Sequence, residues 1–451
     1  MAFRLPLPEI RSVLRLAAPI ALTQIGLVLY GTVDMIFVGR LGPAAIAAVG
    51  LGAVTYFTVL VTGMGIVMGI DSHSAKAFGA GKPELCGQLL IHTLVLALAT
   101  ALPLFFSMSL AGIGYRLIGV VPAVAESAIV YISILRWCVF PALCFIACRQ
   151  FLQSMNITAP LIAAIVIGNL ANAFFDAALI FGRFGAPKLG VPGSAIATVA
   201  ANFVMLAVAG LGAYRALRRI DFRFRGWHPR LFWDVFSLGL PAGLQMLAEV
   251  LVFSLVTALV GRLGADTLAA HQLTLNLASF TFMVPMGLSH AAAARVGQAI
   301  GRGDARSAAL LGRAATLLAV AFMAVMGVCF ASMPGVFFGI FSAPPIVVSL
   351  GRPLLYCSAA FQVFDGSQAV LTGALRGLGE TRKPFFLNLL GHWMIGLPVG
   401  AFLGFRRGWG ATGLWIGLLT GLVVVAILLW LDWERRTAAT ESGPSPLSPP
   451  P

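Results

Sequence analysis

Charge is what this chain has least of. Only 10% of its residues are Asp, Glu, Lys or Arg, and 16 are acidic. Soluble globular domains carry about 25% charged residues. With 59% hydrophobic residues and a mean hydropathy of +0.95, the chain has too little polar surface to cover itself in water, and lipid is the solvent it fits. Cysteine is scarce as well. Cys86, Cys138, Cys144, Cys148, Cys329 and Cys357 form no CxxC pair, which argues against a zinc or redox centre, and Cys144 and Cys148 read as small apolar core residues. There is no GxxxxGK[ST], no HExxH and no GxSxG. A P-loop nucleotide site, a zincin and an elbow-type hydrolase are thereby set aside. The chain is expected not to be an enzyme and to use no cofactor. The net charge of +14 raises the question of nucleic acid, but the basic residues lie in loops between apolar runs, so no nucleic-acid partner is expected.

Long apolar runs are abundant. A bilayer core of about 30 Å needs about 20 helical residues. Residues 13–38, 44–70, 86–110, 123–148, 158–182, 190–214, 232–260, 266–294, 307–332, 345–370, 384–405 and 408–432 each qualify. The runs are continuous rather than alternating, which favours helices over barrel strands. The expected fold is an all-α membrane protein with twelve transmembrane helices. Twelve spans divide the basic residues 21 to 8 between the two sides, with Arg136 left inside the fourth span, where an acid partner is expected. Basic loops stay cytoplasmic. Both termini are therefore expected in the cytoplasm of a multi-pass protein of the plasma (inner) membrane. The two prolines of the first 12 residues run into a span that reads as retained rather than cleaved.

The chain repeats itself. Pro19 and Gly39-Arg40-Leu41-Gly42 recur 222 residues later as Pro241 and Gly261-Arg262-Leu263-Gly264. Gly65 and Gly287, and the GAGK and GRGD turns containing Gly81 and Gly303, keep that offset. Further on, 153–160 parallels 376–384, and Gly190–Gly193 parallels Gly410–Gly413. The expected organisation is an N-terminal six-helix lobe (1–214), a basic cytoplasmic linker (215–231), a C-terminal six-helix lobe (232–432) and a Pro/Ser-rich disordered tail (433–451). Two pseudo-symmetric bundles are a common plan for alternating access. A scaffold or channel would use the same duplication.

Four acids fall well inside the spans: Asp34, Asp176, Glu249 and Asp365. Each costs about 2.5–3.5 kcal/mol at mid-membrane on insertion scales, so such acids mark functional sites by default. Asn169, Asn172 and Asp176 lie at helical spacing on one face. His271, Gln272 and Asn276 form a second polar stripe. Gln24, Asn169, His271, Gln272, Asn276 and Phe280 are the candidates for substrate contact, and Phe57, Phe253, Phe282 and Met283 could extend an apolar drug pocket. An interhelical network that only fixes packing would draw on the same residue types. Asp71 and His73, beside Lys76, read as a loop-proximal ion cluster, and His92, His290 and His392 as structural. A buried carboxyl can shuttle a proton, and two carboxyls with amide oxygens can hold Na⁺; the residues alone leave both open.

Val33-Asp34-Met35-Ile36-Phe37-Val38-Gly39-Arg40-Leu41-Gly42, the stretch AAHQLTLNLASFTFMVPMG at 269–287, Arg295-Val296-Gly297 and GALRGLGETRKP at 373–384 together resemble the multidrug and toxic compound extrusion (MATE) family, its NorM-like members most of all. The resemblance runs from about residue 11 to 432. It implies two six-helix lobes and a secondary active multidrug efflux antiporter that exchanges organic, cationic or amphipathic drugs for H⁺ or Na⁺. It assigns cation or proton coupling to Asp34, Asn172, Asp176, Glu249 and Asp365, with Glu249 and Asp365 as the candidate Na⁺ pair. Some Na⁺-coupled members carry a tyrosine four residues before the tenth-span acid, and Phe361 stands there. The alternative is a lipid-linked oligosaccharide flippase of the wider superfamily, which would need a basic cavity. Two lobes in one chain make a functional monomer the expectation, with small organic solutes and the bilayer as partners.

Overall fold

The structure, a computed structural model, describes residues 7–117 and 119–441. Among the described residues, twelve helices are long and apolar enough to cross a membrane: α1 (Leu7–Gly39), α2 (Pro43–Gly79), α3 (Pro83–Leu117), α4 (Pro122–Ser154), α5 (Ala159–Phe181), α6 (Val191–Arg219), α7 (Pro229–Gly261), α8 (Ala265–Gly301), α9 (Ala305–Ser332), α10 (Pro345–Leu378), α11 (Arg382–Arg406) and α12 (Gly410–Ala438). They coincide with the twelve expected runs. The chain is a multi-pass helical membrane protein. Proline opens α2, α3, α4, α5, α6 and α10, where its missing N–H leaves no helical bond unmade. The repeat is visible in the backbone: Gly42 (φ 106°) and Gly264 (φ 116°) start α2 and α8 in the same left-handed turn.

The compact bodies do not divide at the linker. One comprises Leu22–Leu247; the other comprises residues 7–21 and 248–441. The boundaries fall inside α1 and α7. The first part of α7 packs within the first body, where Val235 joins Ile66, Val67 and Ile70 of α2. Gly65 and Gly69 of α2 lie against Gly239 and Gly243 of α7, so close that a Cβ on Gly69 would lie 2.8 Å from Gly239 N. Small residues at four-residue spacing allow this approach, and dispersion supplies the attraction that lipid does not. The repeat gives the second body the equivalent crossing. Val13, Leu16, Ala17 and Ile20 of α1 pack on α8, with Gly287 against Ala21.

Two further details depart from the sequence reading. Helix continues to Glu441, so residues 433–441 are not tail. Trp433 is fully buried against Gly312, and ion pairs join Arg313 to Glu434, Lys383 to Asp432 and Arg436 to Glu380, which anchors this last turn. The rest of the expected tail, 442–451, lies outside the described residues. Arg136 has no acid partner among the described residues. It donates to Ser109 Oγ (2.7 Å) and Ser133 O (3.0 Å) and sits 4.5 Å from the Phe105 ring centroid. A planar cation can use a ring face and hydroxyls in place of a carboxylate.

Candidate functional site

In the first body, α1, α5 and α6 bring one cluster together. Asp34 of α1 is 7% exposed, and Asn172 and Asp176 of α5 are fully buried. Asn172 Nδ2 donates to Asp34 Oδ1 at 2.6 Å and to Asp176 Oδ2 at 2.8 Å, so one amide bridges both acids. The i, i+4 spacing on α5 places Asn172 and Asp176 one turn apart on the face that meets α1.

Sequence reasoning missed the third side of this cluster. Thr198 Oγ1 of α6 donates to Asp34 Oδ2 at 3.1 Å and to Ser194 O at 3.0 Å. Tyr30, one turn before Asp34, donates from its hydroxyl to Thr198 O (2.9 Å) and accepts from Asn202 Nδ2 (3.3 Å). The available signals were the four-residue spacings Tyr30–Asp34 and Thr198–Asn202. Three buried oxygens at this cluster, Asn172 Oδ1, Asp176 Oδ1 and Ser194 Oγ, have no partner. Unpaired buried polar atoms are costly and uncommon in folded proteins.

The second body has its own acidic site. Glu249 of α7 accepts from Gln368 Nε2 of α10 at 2.9 Å and from Asn388 Nδ2 of α11. Asp365 lies on α10 one turn before Gln368. Gln368 Oε1, Asn388 Oδ1 and His392 Nδ1 are buried without partners. Gln368 and Asn388 were also missed; the only sequence signal was an amide three residues from Asp365. Wide π-type turns at Leu390–Gly396 and Phe402–Arg406 interrupt α11 just past Asn388. Such turns often re-aim side chains at functional sites. Among the described residues, no three His, Cys, Asp or Glu converge as a metal site.

The expected substrate contacts separate into two groups. Gln24 is buried and accepts from Arg149 Nη1 at 3.1 Å. Asn169 donates to Gly26 O and Ile165 O, tying α5 to α1. His271 is 1% exposed: Trp415 Nε1 donates to its Nδ1 (3.0 Å) and its Nε2 pairs with Thr257 Oγ1 (2.9 Å). An imidazole that accepts at Nδ1 carries its proton on Nε2, so both ring nitrogens are engaged. Gln272, Asn276 and Phe280 instead share one exposed stripe of α8 at four-residue spacing, with Asn276 Nδ2 bonded to Gln272 O at 2.8 Å. Phe361 packs edge-on to Trp415 and Phe253, which fills its position with rings rather than an oxygen. Asp71 is buried and accepts from Gln150 Nε2 at 3.1 Å.

Twelve apolar helices in a duplicated six-span pattern, with acids set among the spans of each body, define a class: a polytopic membrane protein built around intramembrane carboxyls. The sequence model of the MatE family matches residues 19–178 and again 241–402, one copy per half, and the chain belongs to that family. It is 34% identical over 441 residues to the probable multidrug resistance protein NorM of Mesorhizobium japonicum, covering 95% of this chain and 94% of that one. It is 34% identical over 438 residues to the multidrug resistance protein NorM of Burkholderia vietnamiensis, covering 95% of each. Among solved structures, the eukaryotic MATE transporter AtDTX14 aligns with a TM-score of 0.87 at 22% identity, over 96% of this chain and 98% of that one. A MOP superfamily transporter from Pyrococcus furiosus aligns at 0.86 and 20%, over 96% and 97%.

Proposed function

We propose that this protein is a secondary active multidrug efflux antiporter. It exports organic compounds, cationic or amphipathic, in exchange for an inward-moving cation by alternating access, and it performs no covalent chemistry. It sits in the inner membrane with both termini and the basic linker in the cytoplasm, and it works as a monomer. The observation that carries the reading is the Asp34–Asn172–Asp176 cluster. Two carboxyls in apolar spans meet around one amide, and like charges sharing one such site favour the uptake of a proton. A substrate cation and that proton would compete for the same negative charge, which is the differential affinity an exchanger needs. The NorM relatives, named for multidrug resistance, support the same direction of transport.

H⁺ suits the first-body cluster. There a single amide, Asn172, lies between the two carboxyls and donates to both, so one arriving proton can be shared by the pair without rearranging the cluster. One observation favours Na⁺ at Glu249 and Asp365. The partnerless Gln368 Oε1 and Asn388 Oδ1 would turn toward Glu249 on an amide flip and supply neutral ligands beside the two carboxylates. Phe361 offers that ion nothing. The test is efflux of a fluorescent organic cation from proteoliposomes under an imposed ΔpH, then under an imposed Na⁺ gradient. Transport driven by ΔpH and lost in Asp34→Asn supports H⁺ exchange. Transport driven by Na⁺ alone and lost in Asp365→Asn transfers coupling to the second body. Transport driven by neither gradient overturns the antiporter.

A further inference from the structure

The segment that joins α6 to α7 is not a free tether. His92, nine residues beyond Pro83 on α3, is fully buried and bonded on both ring nitrogens: Nδ1 pairs with Gln88 O at 2.7 Å, and Nε2 accepts the His228 backbone N–H at 3.0 Å. Trp227 stacks on the His92 ring with centroids 4.4 Å apart and planes 20° from parallel. Arg225 pairs with Glu84, near the start of α3. The segment therefore folds back along α3. At about 1.5 Å per residue, His92 lies about 14 Å along the helix from Pro83, which brings Trp227 to the depth where an apolar span meets headgroups.

The outer face of this segment has a consistent chemistry. Six arginines between positions 215 and 230 are exposed, and the sole acid in that stretch is Asp221. Interleaved with them, Phe224, Trp227 and, just beyond, Trp233 expose 53%, 46% and 60% of their surface. Rings that sit at the interface and cations that reach outward are the two halves of a lipid-headgroup surface. Clustered arginine beside a span favours anionic lipid over zwitterionic lipid.

We infer that the α6–α7 segment is a docking surface for anionic phospholipid headgroups of the adjacent leaflet, with Trp227 and Trp233 as interfacial anchors and Arg218, Arg219, Arg223 and Arg230 as headgroup ligands. The occupant is the bilayer because the segment lies against α3 at membrane depth instead of projecting away from it.

The experiment uses the full chain in nanodiscs of phosphatidylcholine that contain a minor fraction of brominated phosphatidylglycerol or, in parallel, brominated phosphatidylcholine. Bromine quenches nearby tryptophan, and the signal removed by Trp227→Phe isolates this site. The proposal expects stronger quenching of Trp227 by the anionic lipid, weakening as salt rises. The fourfold Arg218→Gln, Arg219→Gln, Arg223→Gln, Arg230→Gln variant should lose the preference, each arginine removed lowering headgroup association by about fivefold. Arginine-to-lysine replacements should retain most of it. Equal quenching by the two lipids in the unmodified chain would overturn the proposal, whether or not the variant folds. So would displacement of the anionic lipid by an equimolar soluble polyanion, which would assign the patch to a cytosolic partner.

Discussion

Removing the bridging amide should expose how the first-body cluster works. Asn172 donates from one nitrogen to two carboxyls, at 2.6 and 2.8 Å, in a setting without solvent contact. A hydrogen bond to a charged group is worth about 1.5–3 kcal/mol, so Asn172→Ala should destabilise the chain by about 3–6 kcal/mol if both bonds are lost uncompensated. Asp34→Ala removes one of the two acceptors. In that background the cost of Asn172→Ala should fall by about 1.5–3 kcal/mol, the coupling expected for one charge-assisted bond. The assay is a double-mutant cycle of purified protein in mixed micelles, read by reversible SDS unfolding. If the two substitutions add within about 0.5 kcal/mol, the residues act independently and the bridge has no energetic meaning.

Other consequences are more local. Thr198→Val keeps the shape but removes the 3.1 Å donor to Asp34; it should cost about 1.5–3 kcal/mol in the same unfolding assay and alter the pH dependence of efflux without abolishing it. Trp415→Phe leaves His271 Nδ1 without its 3.0 Å donor and should cost about 1–3 kcal/mol while gradient-driven efflux survives, because the His271 ring is engaged by Trp415 and Thr257. Gly69→Val places a branched side chain where a single Cβ already meets the α7 backbone, and it should lower thermal stability by about 1–3 kcal/mol or more and slow transport, whereas Gly210→Ala, with open space around it, should do neither.

The twelve spans were legible because lipid leaves a long signature: about 20 apolar residues per span cannot hide in one sequence. Asp34 and Asp176 were legible for the converse reason, since acids are conspicuous in such runs, and the four-residue step from Asn172 to Asp176 placed them on one face. Thr198 and Tyr30 were not legible. Hydroxyls are common in membrane helices, and the helix they meet is fixed by packing over 164 residues of separation. His271 is the converse case. It looks available in a polar stripe, but Trp415, 144 residues away, occupies it. The division of the compact bodies inside α1 and α7 was equally hidden. A basic linker is the visible break, yet small-residue crossings at Gly69–Gly239 and Gly287–Ala21 decide which body each helix start belongs to.

In the proposed cycle a substrate cation and a proton compete for the Asp34–Asp176 pair. The direct measurement is proton release on binding: an organic cation is titrated into purified protein in weakly buffered detergent solution, and the pH change is followed with an indicator. The account predicts release approaching one proton per cation bound in the unmodified chain and none in Asp34→Asn. Saturable cation binding without proton release, or release that persists in Asp34→Asn, would contradict it.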